Sequence, residues 1–235
     1  MTVDVLAIGA HPDDADLGLG GTLLKLAAQG HATAILDLTR GEMGSRGTPE
    51  ERAAEAAEAA KRLDLTTREQ AGLPDGGLVN TPEQRLPIVR HIRALRPRIL
   101  LAPLTPDRHP DHEAAHALAK DAGFFAGVSG IDTGQPPYRA EAVYYYHSYH
   151  EPAETPTFIS DITPYFDQKQ EALRAFKSQF HNPQYEAPET YVASEAFWNN
   201  IKIRAEYWGA RIGVQYGEPI HAQVPIALDI SHELR

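Results

Sequence analysis

Apolar residues follow two rhythms along this chain. Short unbroken runs such as Val3-Asp4-Val5-Leu6-Ala7-Ile8-Gly9 and Arg98-Ile99-Leu100-Leu101-Ala102-Pro103 have the length and branched content of strands buried on both faces of a parallel sheet. Between them, apolar residues recur at helical spacing. The pattern predicts strands over residues 3–9, 33–38, 69–73 and 98–103, with helices over 17–28, 49–62, 83–95 and 110–125. Farther on it predicts strands over 142–149 and 157–162 and helices over 164–180 and 189–212. Strand–helix alternation of this kind implies an α/β fold: a Rossmann-like, doubly wound, mainly parallel sheet with helices on both faces. No linker, repeat or low-complexity segment interrupts it, so residues 1–235 are expected to form one domain, with the Gly/Pro-rich stretch 129–139 as a surface loop.

Charge and composition narrow the partners. A formal net charge of -10 over 235 residues disfavours nucleic acid and anionic membrane surfaces, which demand clustered Lys and Arg, and leaves a small-molecule substrate as the expectation. The chain has no Cys, so disulfides, thiolate ligands and cysteine nucleophiles are excluded, and any metal must be held by His and carboxylates. The first residues, Met1-Thr2-Val3-Asp4, carry no basic n-region, and no apolar run approaches the ~20 residues that span a bilayer. A cytoplasmic location is therefore expected.

In open doubly wound sheets ligands bind at the carboxyl ends of the strands where strand order reverses, here between strands one and four. Strand one runs into His11-Pro12-Asp13-Asp14 and strand four into Asp107-Arg108-His109-Pro110-Asp111-His112. Both clusters should converge on one crevice. A catalytic zinc site takes three N or O ligands and an open position, which His11, Asp14 and His112 can supply. Asp13 is then free to act as base, and His109 to stabilise an oxyanion or protonate a leaving amine. Either segment alone reads as a turn, but turn chemistry gives no reason for two His/Asp clusters at the functional ends of two buried strands.

Rival patterns are present. His112-Glu113-Ala114-Ala115-His116 matches the H-E-x-x-H motif of zinc peptidases, with Glu113 as base. That reading leaves His11, Asp13 and Asp14 without a role. A two-His, one-carboxylate iron site is possible on ligand type, although the extra carboxylate of Asp13 favours hydrolysis. Gly18, Gly20 and Gly21 invite a dinucleotide reading, but two carboxylates occupy the turn where pyrophosphate would sit, so these glycines are expected to permit close helix packing. Arg46 or Arg52, after strand two, could clamp a substrate carboxylate or hydroxyls. The other histidines, among them His147, His150, His221 and His232, are expected to be structural.

With AHPDD after strand one, TRGEMGSRGT after strand two and RHPDH after strand four, the chain resembles the LmbE/PIG-L deacetylases over most of its length. LPDGGL at 73–78 and LRAFKSQF at 173–180 are most similar to the bacillithiol-biosynthesis enzymes that deacetylate N-acetylglucosaminyl-malate. The resemblance implies an N-deacetylase of an N-acetylglucosamine conjugate. It implies zinc, with Fe2+ as the other candidate, held by His11, Asp14 and His112, and Asp13 as general base. It further implies His109 as electrophile or acid, Asp111 orienting His109, Arg52 as a substrate-binding arginine, Tyr191 on a loop closing over the substrate, and homo-oligomers, trimeric or hexameric. The family has no ligand at the position of His116.

Overall fold

The computed structural model describes residues 2–148 and 155–227. Its centre is a five-stranded sheet in the order β3-β2-β1-β4-β5, formed by β1 (Val5–Gly9), β2 (Thr33–Asp37), β3 (Thr67–Gln70), β4 (Ile99–Pro103) and β5 (Ala142–Tyr146). Every pairing in it is parallel. β1 lies in the middle, flanked by β2 and β4, and is buried along its whole length. Successive side chains of β1 serve opposite faces, as the pleat requires. Leu6 and Ile8 join a core with Ile88, Val89 and Ile92 of α3 (Pro82–Leu95) and Leu118 and Ala122 of α4 (Pro110–Ala126). Val5 and Ala7 join the opposite core with Leu19 and Leu23 of α1 (Asp14–Ala28) and Ala172 of α5 (Phe166–Leu173). Outside that layer Ala56 and Ala59 of α2 (Pro49–Arg62) pack with Phe176, Phe180 and, from α6 (Glu195–Ala210), Phe197 and Ile201.

Local chemistry sets several boundaries. Thr48 and Glu51 close a capping box before α2, with Pro49 at the first helical position. Thr81 and Ser194 cap α3 and α6 by accepting amide protons three residues on. The helix expected over 164–180 is shorter: a 3-10 turn at Thr163–Tyr165 leads into α5, which ends at Leu173. Beyond it the chain continues in short amide-to-carbonyl turns, Ala175 to Ala172, Phe176 to Leu173 and Gln179 to Phe176, to which side chains add further bonds. Ser178 donates its amide and hydroxyl to Glu55, and Gln179 donates to the Arg46 carbonyl. The helix expected from 189 begins at Glu195, after a stretch broken by Pro183 and Pro188. The third strand sits slightly earlier than the pattern indicates. β6 (Phe158–Asp161), within the strand expected over 157–162, pairs antiparallel with β7 (Gly217–Ile220), a strand the pattern does not indicate. Tyr149, His150 and His232 lie outside the described residues. No described helix is long and apolar enough to cross a membrane.

α1 is pressed against its surroundings, and its glycines permit this. Glu218 of β7 accepts from the Gly21 amide (2.9 Å), the Thr22 amide (2.7 Å) and the Thr22 hydroxyl (2.6 Å). Lys169 of α5 donates to the same carboxylate at 2.6 Å and to the Leu17 carbonyl at 2.7 Å, all of it buried. A Cβ on Gly18 would meet the Tyr146 ring and, at 2.9 Å, the His147 carbonyl; one on Gly21 would meet Ile162 at 2.7 Å. Tyr146 cannot swing aside cheaply, because its buried hydroxyl donates to the Ile8 carbonyl at 2.9 Å.

Gly18→Ala is therefore expected to lower unfolding free energy by about 1–3 kcal/mol, the usual cost of overpacking. Gly130→Ala, where a Cβ has open space and ordinary φ, is the control and should be near neutral in the same denaturant titration. Equal stability of the Gly18 variant and wild type would contradict the packing role.

Candidate active site

The strand order places the carboxyl ends of β1 and β4 side by side, and their extensions meet there. The turn after β1 holds Asp13 at φ 123, a conformation that side-chain-bearing residues adopt at a cost of order 1–3 kcal/mol and that is found where a site demands it. Asp14 then opens α1. After β4, His109 is the N-cap of α4: its Nδ1 accepts from the Asp111 amide at 3.2 Å, and Pro110 starts the helix. This puts His112 in the first turn of α4, facing Asp14.

His11, Asp14 and His112 are buried, with donor atoms within 4.8 Å of one another. His11 Nδ1 is 3.4 Å from Asp14 Oδ2, and His112 Nε2 is 3.2 Å from Asp14 Oδ1. Two ligands at ~2.0–2.1 Å from one tetrahedral ion are about 3.3 Å apart, so these separations suit a zinc-sized cation. The outward nitrogens are also held. His112 Nδ1 is 3.1 Å from Asp107 Oδ2, and His11 Nε2 is 3.1 Å from Asp75 Oδ1 and 3.3 Å from Asp111 Oδ2. Carboxylates behind the imidazoles orient rings and raise their basicity in metal sites. A second donor group, His11, His109 and Asp111, shares His11 with the first.

The electrostatics point the same way. Burial acts against charge on His11, but Asp111, Asp14 and Asp75 outweigh it and hold its pKa well above the usual value. At His112 burial is likewise overcome, by Asp14 and Asp107, to about 10. A pocket that draws protons onto two imidazoles is one that draws a cation. Burial raises Asp13 to about 7, against the pull of Arg52 and with the push of Asp14. His109 is lowered, first by burial and then by the neighbouring imidazoles.

These groups line a cavity of about 280 Å3 with Asp75, Arg52 and Gly76, closed on its apolar side by Leu17, Met43, Phe180 and Val192. Asp75 and Asp107 were given no role on sequence; Asp75 lies in LPDGGL and Asp107 beside the strand-four motif. Tyr191 is exposed at the rim, edge-on to Phe197, with the Arg108 guanidinium 5.0 Å from its ring centre. Arg46 does not line the cavity. It donates to the carbonyls of Ser178 (2.6 Å), Pro188 (2.6 Å) and Ala187 (3.3 Å). The carboxylate of Asp111 reaches His11 and the Gly76 amide; only its backbone amide touches His109. The peptidase-like motif is dismantled by the fold. Glu113 accepts from the Asp107 amide, and His116 is buried against Tyr145 with Nδ1 2.8 Å from the Pro103 carbonyl.

The PIG-L family, described as GlcNAc-PI de-N-acetylase, matches residues 6–123. The diacetylchitobiose deacetylase of Thermococcus kodakarensis is 33% identical over 241 residues, covering 96% of this chain and 85% of that protein. A 1D-myo-inositol 2-acetamido-2-deoxy-alpha-D-glucopyranoside deacetylase of Catenulispora acidiphila is 30% identical over 161 residues, 54% of this chain and 53% of the other. Among solved structures, a conserved protein of Thermus thermophilus has 42% identity and a TM-score of 0.87, covering 97% of this chain and 98% of that one. N,N'-diacetylchitobiose deacetylase of Pyrococcus horikoshii has 27% identity and a TM-score of 0.77 over 92% of this chain and 82% of its own. With a family match over residues 6–123 and similarity along nearly all of its length, this chain belongs to the PIG-L family of N-deacetylases.

Proposed function

We propose that this chain removes the acetyl group from an N-acetylglucosamine conjugate, using a divalent metal held by His11, Asp14 and His112. The observation that carries this reading is one cleft in which a strained, cavity-lining carboxylate, Asp13, adjoins a buried His/Asp/His donor set. A metal bound there supplies Lewis acidity to the acetamide carbonyl and lowers the pKa of a water. Zinc suits the donor set, and iron(II) accepts the same ligands. Asp13 receives the proton of the attacking water, and its raised pKa makes it a stronger base than an ordinary aspartate. His109 serves the other end of the reaction. Its Nδ1 is occupied as an acceptor, so the neutral ring carries its proton on Nε2, where it can donate a hydrogen bond to the developing oxyanion, while the proton taken up by Asp13 passes to the leaving amine. Asp107 and Asp75 hold the imidazoles, and Tyr191 with Arg108 borders the entrance. Two kinds of aglycone frame the substrate. One is the malate indicated by LPDGGL and LRAFKSQF, which would place the enzyme in bacillithiol biosynthesis. The other is the uncharged sugar or inositol of the relatives' substrates.

The test is amine release by the metal-loaded protein from N-acetylglucosamine, diacetylchitobiose, and the inositol and malate conjugates of N-acetylglucosamine. Product from none of them would refute the reading. Asp14→Ala and His112→Ala are each expected to leave the protein folded and without metal in elemental analysis; full occupancy in either would remove that residue from the ligand set. Asp13→Asn should keep its metal and lose on the order of 10²–10⁴-fold in kcat, the usual contribution of a general base. Glu113→Gln should cost little activity, since Glu113 serves the backbone of Asp107; the reverse ranking of these two variants would move the base to Glu113.

A further inference from the structure

Residues 178–188 leave the body of the fold and return to it without entering a helix or strand. Carbonyls taken out of water on such an excursion must find donors, and Pro183 and Pro188 bring no amide of their own. Arg46, itself buried, supplies those donors from the loop after β2. Its Nε donates to the Ser178 carbonyl at 2.6 Å, and its Nη1 to the Pro188 carbonyl at 2.6 Å and the Ala187 carbonyl at 3.3 Å. The guanidinium also lies over the Tyr185 ring, 5.2 Å from its centre. One planar group thus touches both ends and the middle of the excursion, an Ω-loop closed at its neck by a side chain.

The first end of the neck is tied several times over. Gln179 donates to the Arg46 carbonyl at 2.7 Å and to the Ser178 hydroxyl at 2.8 Å, and Glu55 accepts from the Ser178 amide and hydroxyl, each at 2.7 Å. Gly47 has φ +75, and a Cβ there would meet Ser178 Oγ at 2.6 Å, so the loop after β2 is pressed directly onto this end. The second end has far less. Among the described residues, 181–188 reach the rest of the chain by hydrogen bonds only through Arg46 and through one long contact, 3.5 Å from the Tyr185 hydroxyl to Glu51.

The wall of the cleft stands at this neck. Gln179 and Phe180 line the cavity at the first end and Val192 shortly after the second, while Met43 and Gly44 line it from the same loop as Arg46. A guanidinium outside the lining therefore sets the spacing between two parts of it. Lysine could not replace it, because a single nitrogen cannot serve carbonyls that are held by two nitrogens of one rigid plane.

We propose that Arg46 is a positioning residue: it latches both ends of the 178–188 loop to the loop after β2, and through that latch it sets how tightly the cleft holds its substrate. The second part rests on the N-deacetylase reading; the first does not. With the latch released the wall is in place for only a fraction of the time, and apparent affinity falls by that fraction. The donor set and Asp13, which stand on the ends of β1 and β4 and the helices after them, are left as they were.

The experiment follows hydrogen exchange and steady-state kinetics in the metal-loaded wild type, Arg46→Ala, Arg46→Lys and Gly47→Ala, with metal content determined in parallel. Exchange needs no substrate. In Arg46→Ala, peptides covering 178–194, where the amides of Tyr185, Ala193 and Ser194 close short turns, should exchange about tenfold faster or more, and peptides of α1 and α4 should not change. On whichever of diacetylchitobiose, the inositol conjugate and the malate conjugate the wild type turns over, KM should rise about tenfold, with kcat within about threefold and metal content full. Arg46→Lys should move both readings the same way and less far. Gly47→Ala pushes the Ser178 end away and should give the same split, so the proposal stays open to refutation if Arg46→Ala fails to fold. Unchanged exchange over 178–194 in Arg46→Ala and Gly47→Ala would overturn the latch, and faster exchange with unchanged KM would overturn its part in binding. A fall in kcat with loss of metal would make Arg46 a support of the donor set, and a KM rise confined to the malate conjugate would make it an anion clamp; either would overturn the proposal. Wild-type amine release from none of the conjugates would refute the deacetylase reading and the binding half of the proposal, while exchange would still decide the latch.

Discussion

Carboxylates removed from water and crowded together are tolerated only where positive charge is interleaved among them, since each desolvated anion raises the cost of the next. That constraint organises the carboxyl edge of this sheet. Asp16 and Asp37 are bridged by both edges of Arg68, at distances of 2.7–2.9 Å. Asp13 meets Arg52, and Asp14, Asp75, Asp107 and Asp111 surround His11 and His112. The two arginines are permanent cations, whereas the two imidazoles must acquire their charge. At the imidazoles the balance is met by protons or by a metal, so the edge carries fixed positive charge beside Asp13, Asp16 and Asp37 and exchangeable positive charge around Asp14.

What local pattern encodes, the chain displays openly. β1 and β4 are legible because burial on both faces leaves no polar alternation, and α2 because Thr48, Pro49 and Glu51 mark its start. The donor set is legible for the same reason: a strand end fixes where the next few residues must lie, so His11, Asp14 and His112 are brought together by topology alone. Side-chain direction is another matter. Nothing in the spacing of Arg46 and Arg52 tells that one points under the 178–188 segment and the other into the HPDD turn, because those partners lie far away in sequence or are backbone carbonyls. Asp111 illustrates the same limit, its carboxylate turning to His11 while its amide serves His109.

The far wall of the cleft was least legible. Gln179, Phe180, Val192 and the rim residue Tyr191 come from the irregular stretch after α5, which short backbone turns and the side chains of Glu55 and Arg46 hold in place and where no periodicity survives. The floor of the cleft, with its donor set, is thus built on the ends of regular elements and the wall on irregular loops. This is a common division, in which a rigid scaffold fixes the reacting groups and loops carry the variable contacts.

The ion pair between Lys169 and Glu218 gives this division a limit. Glu218 holds the amides of Gly21 and Thr22 in the middle of α1, the helix whose first residue is Asp14. The segment matched by the family, residues 6–123, contains α1 but neither partner of that ion pair, nor Tyr146 and Ile162, which fill the space over its glycines. Excised, that segment would keep every residue of the donor set and lose the surface against which α1 is braced. The inherited motif and the cooperative folding unit therefore do not coincide: the donor set lies in the first half of the chain, and the surface that braces its helix is supplied from the second.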